Sequence, residues 1–341
     1  MTTRTSKNKK PTVMGLFAGC GGLDLGFKQA GFDVVYASDI DKNVKATYEK
    51  NIGPIDIVDI RDVDKDSLPD VDIVLAGIPC QPFSSAGNRG SMNDLRGTLF
   101  NEVILILKKK KPKIVLFENV RGFLSAVDDN GNKMPERVAQ DLKKIGYNFY
   151  YKLLNASDYG VPQNRYRVVM VGVRKDIDKG FEFPLPIPKK DLNIGKVISK
   201  PLPKGEKEEV WGLSPQSVKL LTHIPEGGSW KNIPTQYLPE RLKRIRKEIK
   251  RYKSPNFYRR FSREEIMGTV TAASTPENSG ILHPLKNRRY SVREIARFQS
   301  FPDTFKFIGE STSQKYKMIG NAVPVNFAKN IANAIKKQYF M

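Results

Sequence analysis

The chain has 341 residues, 39% hydrophobic and 28% charged, enough to bury a core and keep a solvated surface. Lysine and arginine exceed aspartate and glutamate by 58 − 36 = 22, which points to a polyanionic partner, nucleic acid before anionic membrane. The longest aliphatic runs, such as Val103 to Leu107, fall far short of the ~20 residues that cross a bilayer, and the basic Thr2 to Lys10 stretch lacks the apolar core of a secretory signal.

Short apolar runs read as strands at Val13 to Leu16, Val34 to Ala37, Ile55 to Val58, Ile73 to Ala76, Ile114 to Phe117 and Val168 to Val173. Helical patterns lie between them, at Leu23 to Ala30, Asp41 to Lys50, Leu99 to Lys110 and Pro135 to Ile145. This alternation predicts an α/β fold with a doubly wound, mostly parallel sheet. Phe183 to Pro203 then holds five prolines and reads as a linker. Arg241 to Arg263 carries eleven basic residues and one acid. Leu242, Ile245, Ile249 and Tyr252 recur there at helical spacing, so an amphipathic helix with a basic outer face is expected, either a solvated surface or a phosphate-contacting one. The last fifty residues return to helix, strand and loop, with an amphipathic helix through Phe327, Ile331 and Ile335.

Cys20, Cys80, His223 and His283 are the only cysteines and histidines, and they lack the CxxC and HxxxH spacings. No zinc site and no disulfide framework is expected, which fits a reducing cytoplasm.

Five motifs carry chemistry. Phe17-Ala18-Gly19-Cys20-Gly21-Gly22-Leu23 joins the first strand to the first helix, Asp39 ends the second strand, and Asp59-Ile60 follows the third. A glycine turn with a carboxylate about twenty residues on suits an adenosine-containing cofactor, and the missing GxGxxG speaks against a dinucleotide. Gly77-Ile78-Pro79-Cys80-Gln81-Pro82-Phe83-Ser84 sets a thiol between two prolines at a strand's carboxyl end, where open sheets bind ligands. The glycine-rich stretch after it, through Arg89 to Arg96-Gly97, resembles a mobile lid. Glu118-Asn119-Val120 ends the fifth strand, where an acid either does chemistry or merely caps the strand. In Gln163-Asn164-Arg165-Tyr166-Arg167 two arginines two apart point to one side of an extended segment, suited to phosphate, a carbonyl oxygen or a carboxylate. Gly320-Asn321-Ala322-Val323-Pro324 leads into the last helix.

Taken together and in this order, the motifs resemble the DNA cytosine-5 methyltransferase family, in its compact bacterial restriction-modification form, over Val13 to Arg174 and from Ser291 onward. The resemblance implies a Rossmann-like catalytic domain at 1–183, a basic target-recognition domain at 184–290 and a hinge and return segment at 291–341. It implies S-adenosylmethionine as cofactor, no metal, and double-stranded DNA as substrate. It also implies a monomer in the cytoplasm, associated with the nucleoid, with a separately acting restriction endonuclease as its counterpart.

The resemblance further implies roles for single residues. Cys80 adds to cytosine C6, Glu118 bonds the N3 edge, Arg167 lies at O2, and Arg165 steadies Glu118 or the thiolate. Phe17 lies on the adenine. Gly19, Cys20, Gly22 and Leu23 surround the methionine and ribose, Asp39 takes the ribose, and Asp59 with Ile60 the adenine. Pro79, Leu99, Asn321 and Val323 complete the site. Ile40 departs from the aromatic residue many relatives carry. Gln81, Ser84, Arg89, Arg96, Trp230, Arg244, Lys247, Arg251, Arg259, Arg260 and Thr271 are candidates for DNA contact. Two rival readings are an RNA cytosine-5 methyltransferase of the same fold and a non-catalytic DNA-binding module. Gln81 to Ser84 resembles the DNA branch, and the joint presence of Cys80, Glu118, Arg165 and Arg167 speaks for catalysis.

Overall fold

A computed structural model describes residues 10–79, 95–128, 131–248, 256–276 and 279–341. Its strands are β1 (Thr12–Leu16), β2 (Asp33–Asp39), β3 (Asp56–Ile57), β4 (Ile73–Ala76), β5 (Ile114–Val120), β6 (Tyr147–Asn155) and β7 (Tyr166–Arg174). They form one sheet in the order β3-β2-β1-β4-β5-β7-β6. The strands from β1 to β5 pair in parallel, whereas β7 runs antiparallel to β5 and β6 antiparallel to β7. Parallel neighbours need crossovers, and helices α1 (Gly22–Gln29), α2 (Lys45–Asn51) and α3 (Leu95–Lys110) supply them. Helix α4 (Met134–Lys144) precedes β6.

The expected α/β sheet is borne out, with one strand that the apolar runs did not show. β6 lies at the sheet edge, and its polar Asn148 and Lys152 are exposed along with Tyr151, so no continuous apolar run marks it. β4 and the first four residues of β5 are buried throughout, as interior strands must be. Between sheet and helices, Met14, Val74, Val103, Val115, Phe117, Val138 and Leu142 belong to one hydrophobic cluster.

The chain divides into two compact units. The first runs up to Asn155 and adds Tyr166–Pro186 and Val325–Met341. Within it, helix α10 (Val325–Tyr339) buries Val325, Phe327, Ala328, Ile331, Ala332 and Ile335. It approaches α1 so closely that a Cβ on Gly26 would lie 2.4 Å from the Ala328 Cβ, so that contact admits only glycine.

The second unit is Ala156–Arg165 with Ile187–Pro324. Its helices are α5 (Ile194–Ile198), α6 (Pro215–Leu221), α7 (Glu240–Lys247), α8 (Val292–Phe298) and α9 (Thr312–Asn321). Of the expected hinge and return segment at 291–341, residues 291–324 fall within the second unit and Val325–Met341 within the first. Ion pairing explains why α8 stays with the second unit. Buried Arg293 grips Glu206 with Nε and Nη2 at 2.8 and 2.9 Å. Buried Arg297 pairs with Asp303 and also donates to the carbonyls of Lys200 and Pro201.

Candidate active site

The carboxyl ends of β1, β2, β4 and β5 lie along one edge of the parallel sheet, and the first unit's motifs follow those ends. Phe17 leaves β1 with φ +55°, a left-handed conformation that is rare for a bulky side chain and clusters at functional sites. The turn is closed by Ala18 N–H to the Ser38 carbonyl (3.0 Å) and Gly21 N–H to the Ala18 carbonyl (2.9 Å). Gly21 has φ +89°, and a Cβ there would meet Ile52 Cδ1 at 2.0 Å and Tyr48 Cε2 at 2.9 Å. Both backbone shape and space therefore require glycine at the entry to α1.

Asp39 anchors the turn from β2. Its Oδ2 accepts from Gly19 N–H at 2.7 Å and its Oδ1 from Asp41 N–H at 2.8 Å. Burial pushes its carboxyl above the usual range, and these hydrogen bonds pull it back. The carboxylate keeps acceptor capacity for a ligand hydroxyl. Ile40, next in the chain, is 65% exposed and offers an aliphatic face.

Asp59 is held by Arg61, with Nε 2.9 Å from Oδ1, and this hydrogen bond lowers its pKa to about 2. Ile60 lies in the hydrophobic core, so its side chain is occupied there rather than presented to a ligand. Pro79 is exposed three residues beyond β4, and Leu99 on α3 is half-buried against the core. Gly22 and Leu23 open α1 and are buried. In the second unit, Asn321 ends α9 exposed and Val323 is buried.

Of the two cysteines, Cys20 lies among the described residues. Cys20 is buried in the turn, and desolvation pushes its pKa up to about 12. A thiol so placed is not a thiolate near neutral pH and is no nucleophile. Cys80, with Gln81, Ser84, Arg89 and Arg251, lies outside the described residues, as does the side chain of Arg96.

Glu118 and Arg167 meet across the β5–β7 pair. Glu118 lies opposite Val169 and Arg167 opposite Val120, so the two are diagonal neighbours on one face. Arg167 Nε stands 2.7 Å from Glu118 Oε1, and the two side chains are only 11% and 12% exposed.

Arg165 has other partners. It precedes β7, is buried, and donates to the carbonyls of Val270 (2.8 Å) and Gly320 (3.0 Å). Gln163 lies beside it, accepting from Val270 N–H and donating to the Phe298 carbonyl and Gln299 Oε1. Gln299 in turn donates to the Ile319 carbonyl at 2.7 Å. Of the two groups Arg165 was expected to steady, Glu118 is paired with Arg167 and the Cys80 thiol lies outside the described residues; Arg165 also belongs to a network that ties the 163–165 segment to α8 and α9. Neither glutamine was among the expected site residues: Gln163 opens the Gln-x-Arg-x-Arg motif, and Gln299 lies in no motif.

The profile of the C-5 cytosine-specific DNA methylase family matches residues 12–337. The chain belongs to that family. It is 38% identical to the type II methyltransferase M.FnuDI of Fusobacterium nucleatum, over 95% of this chain and 94% of the relative. It is 36% identical to M.NgoFVII of Neisseria gonorrhoeae, over 98% and 90%. Among solved structures, the Dnmt2 methyltransferase of S. pombe superposes with TM-score 0.68 at 19% identity, covering 97% of this chain and all of that one, a likeness of fold.

In the second unit several residues expected to contact DNA are turned inward. Trp230 is 2% exposed, packed edge-on against Phe257 and capped by Arg246, so it is core. Arg260 is 3% exposed, and its guanidinium donates to the carbonyls of Leu221, His283, Pro284 and Lys286 and to Asn287 Oδ1. Arg259 is spent on a two-pronged pair with Glu265 and on the Gly228 carbonyl. Thr271 is half-buried, takes hydrogen bonds from Ser274, and lies where a Cβ on Gly320 would come within 2.4 Å of its carbonyl oxygen.

Of the expected basic helix, the first part exists as α7, with Leu242 buried and Arg244 and Lys247 exposed; Ile249 and Tyr252 lie outside the described residues, and residues 256–263 are not helical. Arg246 on the same helix faces inward, donating to the carbonyls of Trp230 and Ile233. Among the described residues no helix is long and apolar enough to cross a membrane, and no cluster of His, Cys, Asp and Glu could hold a metal ion.

Proposed function

We propose that this methyltransferase modifies C5 of a cytosine flipped out of duplex DNA, through a covalent adduct between Cys80 and C6. The observation that carries the reading is the shielded Arg167–Glu118 pair across β5 and β7. S-adenosylmethionine supplies an electrophilic methyl group when bound. The residues of the glycine turn suit it: Phe17 to Leu23 contains no basic side chain to balance a pyrophosphate, and the neighbouring Asp39 suits a cationic nucleoside.

Cytosine C5 is too weak a nucleophile to take a methyl group unaided. The Cys80 thiolate adds to C6, and the electron pair of the C5–C6 bond moves toward C5 and the N3 edge. Glu118 bonds N3 and the exocyclic amine, so that charge arriving on the ring is neutralised. Arg167 holds the Glu118 carboxyl in place and faces the base O2. Once C5 carries the methyl group, loss of its proton to a base and departure of the Cys80 sulfur from C6 restore the aromatic ring.

Phe17 and the exposed Ile40 flank the adenine, Asp39 takes the ribose hydroxyls and Asp59 the adenine edge. Residues 187–324 read the target sequence, with Arg244 and Lys247 on phosphates. The enzyme acts as a monomer on chromosomal DNA in the cytoplasm, protecting it from an endonuclease that works separately. Sequencing of bisulfite-treated DNA from cells expressing the chain is the test. Protected cytosines within one recurring sequence are expected, and uniform conversion would overturn the proposal.

A further inference from the structure

A second carboxylate lies beneath the glycine turn and has no part in the chemistry above. Asp24, in the first turn of α1, is fully buried. It packs flat against β1, where a Cβ on Gly15 would come within 2.4 Å of its Oδ2. The Tyr48 hydroxyl, also buried, donates to the same oxygen at 2.5 Å. The ring of Tyr48 is one of the two groups that exclude a Cβ from Gly21, so the pair supports the turn from below. Helix N-termini with glycine turns ordinarily attract anions, because their free N–H groups and dipole are positive. Here a buried carboxylate stands in that first turn, and Asp39 accepts from the turn's own Gly19 N–H.

We infer that Asp24 is a specificity-determining residue that favours the sulfonium cation of S-adenosylmethionine over the uncharged thioether of S-adenosylhomocysteine. The inference rests on the reading that residues 17–23 hold the cofactor. A buried negative charge under the turn, held by the neutral Tyr48 hydroxyl, lowers the energy of a positive sulfur above it and leaves a neutral sulfur unaffected, which also speeds product release. Burial, with Asp39 adding to it and Tyr48 opposing, raises the Asp24 pKa to about 6. At pH 8 the group is ionised at the expense of native stability, as side chains kept for function often are.

The test is equilibrium binding of both ligands to the full chain at pH 8, in wild type and in Asp24→Asn. The preference for S-adenosylmethionine should fall about tenfold in the variant, through loss of cation affinity alone. The ligand-free variant should melt at a higher temperature than wild type at pH 8. Tyr48→Phe keeps the carboxylate and removes its donor. It should show a weakened preference at pH 6.5 that recovers at pH 8.5. An unchanged ratio in Asp24→Asn, or equal weakening of both ligands with a lower melting temperature, would overturn the inference alone. Failure of the wild type to bind either ligand would overturn the cofactor site with it.

Discussion

Arg167 Nε and Glu118 Oε1 lie 2.7 Å apart on one face of the antiparallel β5–β7 pair, nearly screened from solvent. The spacing follows from strand register: residues two apart on β5 share a face, and Arg167 opposes Val120. The acid is thus oriented before any ligand arrives, which is what charge control at a base edge requires.

Replacing Glu118 with Gln preserves shape and removes the group that neutralises N3. Single-turnover rates with pre-bound S-adenosylmethionine should fall by ~10²-fold or more, the usual scale for a positioned acid. Cofactor affinity should not move, since Asp39 and Phe17 stand elsewhere on the sheet edge. A near-normal rate would mean that charge control at N3 lies in another group.

The two arginines of the Gln-x-Arg-x-Arg motif should separate experimentally. Arg165→Ala removes two charge-assisted bonds to buried carbonyls and should lower unfolding free energy by about 3 kcal/mol or more, read by urea denaturation. Arg167→Lys keeps the charge but loses the planar guanidinium, and turnover should drop with a smaller loss of stability. The opposite pattern would exchange their roles.

Cys80→Ala should abolish methyl transfer and the covalent adduct with 5-fluorocytosine DNA, while DNA binding persists. Cys20→Ala should still form the adduct, because burial keeps the Cys20 thiol protonated near neutral pH. An adduct surviving in Cys80→Ala, seen by denaturing electrophoresis, would refute the assignment.

Arg244 and Lys247 are exposed on α7, whereas Arg246 is folded inward. Changing Arg244 and Lys247 to Ala should reduce the log–log salt slope of DNA binding by about 0.9 for each phosphate no longer neutralised. Arg246→Ala should instead lower the melting temperature. An unchanged slope in the double variant would make the helix face merely solvated.

His283 gives the second unit a sensitivity to acid. Burial lowers its pKa to about 4, and its Nδ1 accepts from the Leu285 and Lys286 N–H groups. The native state therefore holds the neutral ring, and protonation favours the unfolded chain. Stability is complete above pH 6.5 and falls as pH drops from 6.5 to 4, by up to about 3 kcal/mol. In His283→Asn this part of the pH dependence should vanish, as measured by thermal melting across that window.

Much of the fold and site is legible in the chain itself. The buried runs of β1, β4 and β5 mark themselves because interior parallel strands are apolar on both faces. The glycine turn and Asp39 stand at strand ends and Glu118 near one, and strand ends follow from local pattern. What local pattern could not supply was partnership across long separations. Arg165 and Arg167 look equivalent in an extended segment, yet β7 begins at Tyr166, and Arg165 is claimed by carbonyls 105 and 155 residues away. Trp230, Arg259 and Arg260 look like recognition residues in a basic stretch, but packing against Phe257, Glu265 and the 283–287 loop uses them internally. Composition alone determined that the chain is basic. Only the tertiary structure decided which cations face water, because an arginine is buried wherever distant carbonyls and carboxylates converge to satisfy it.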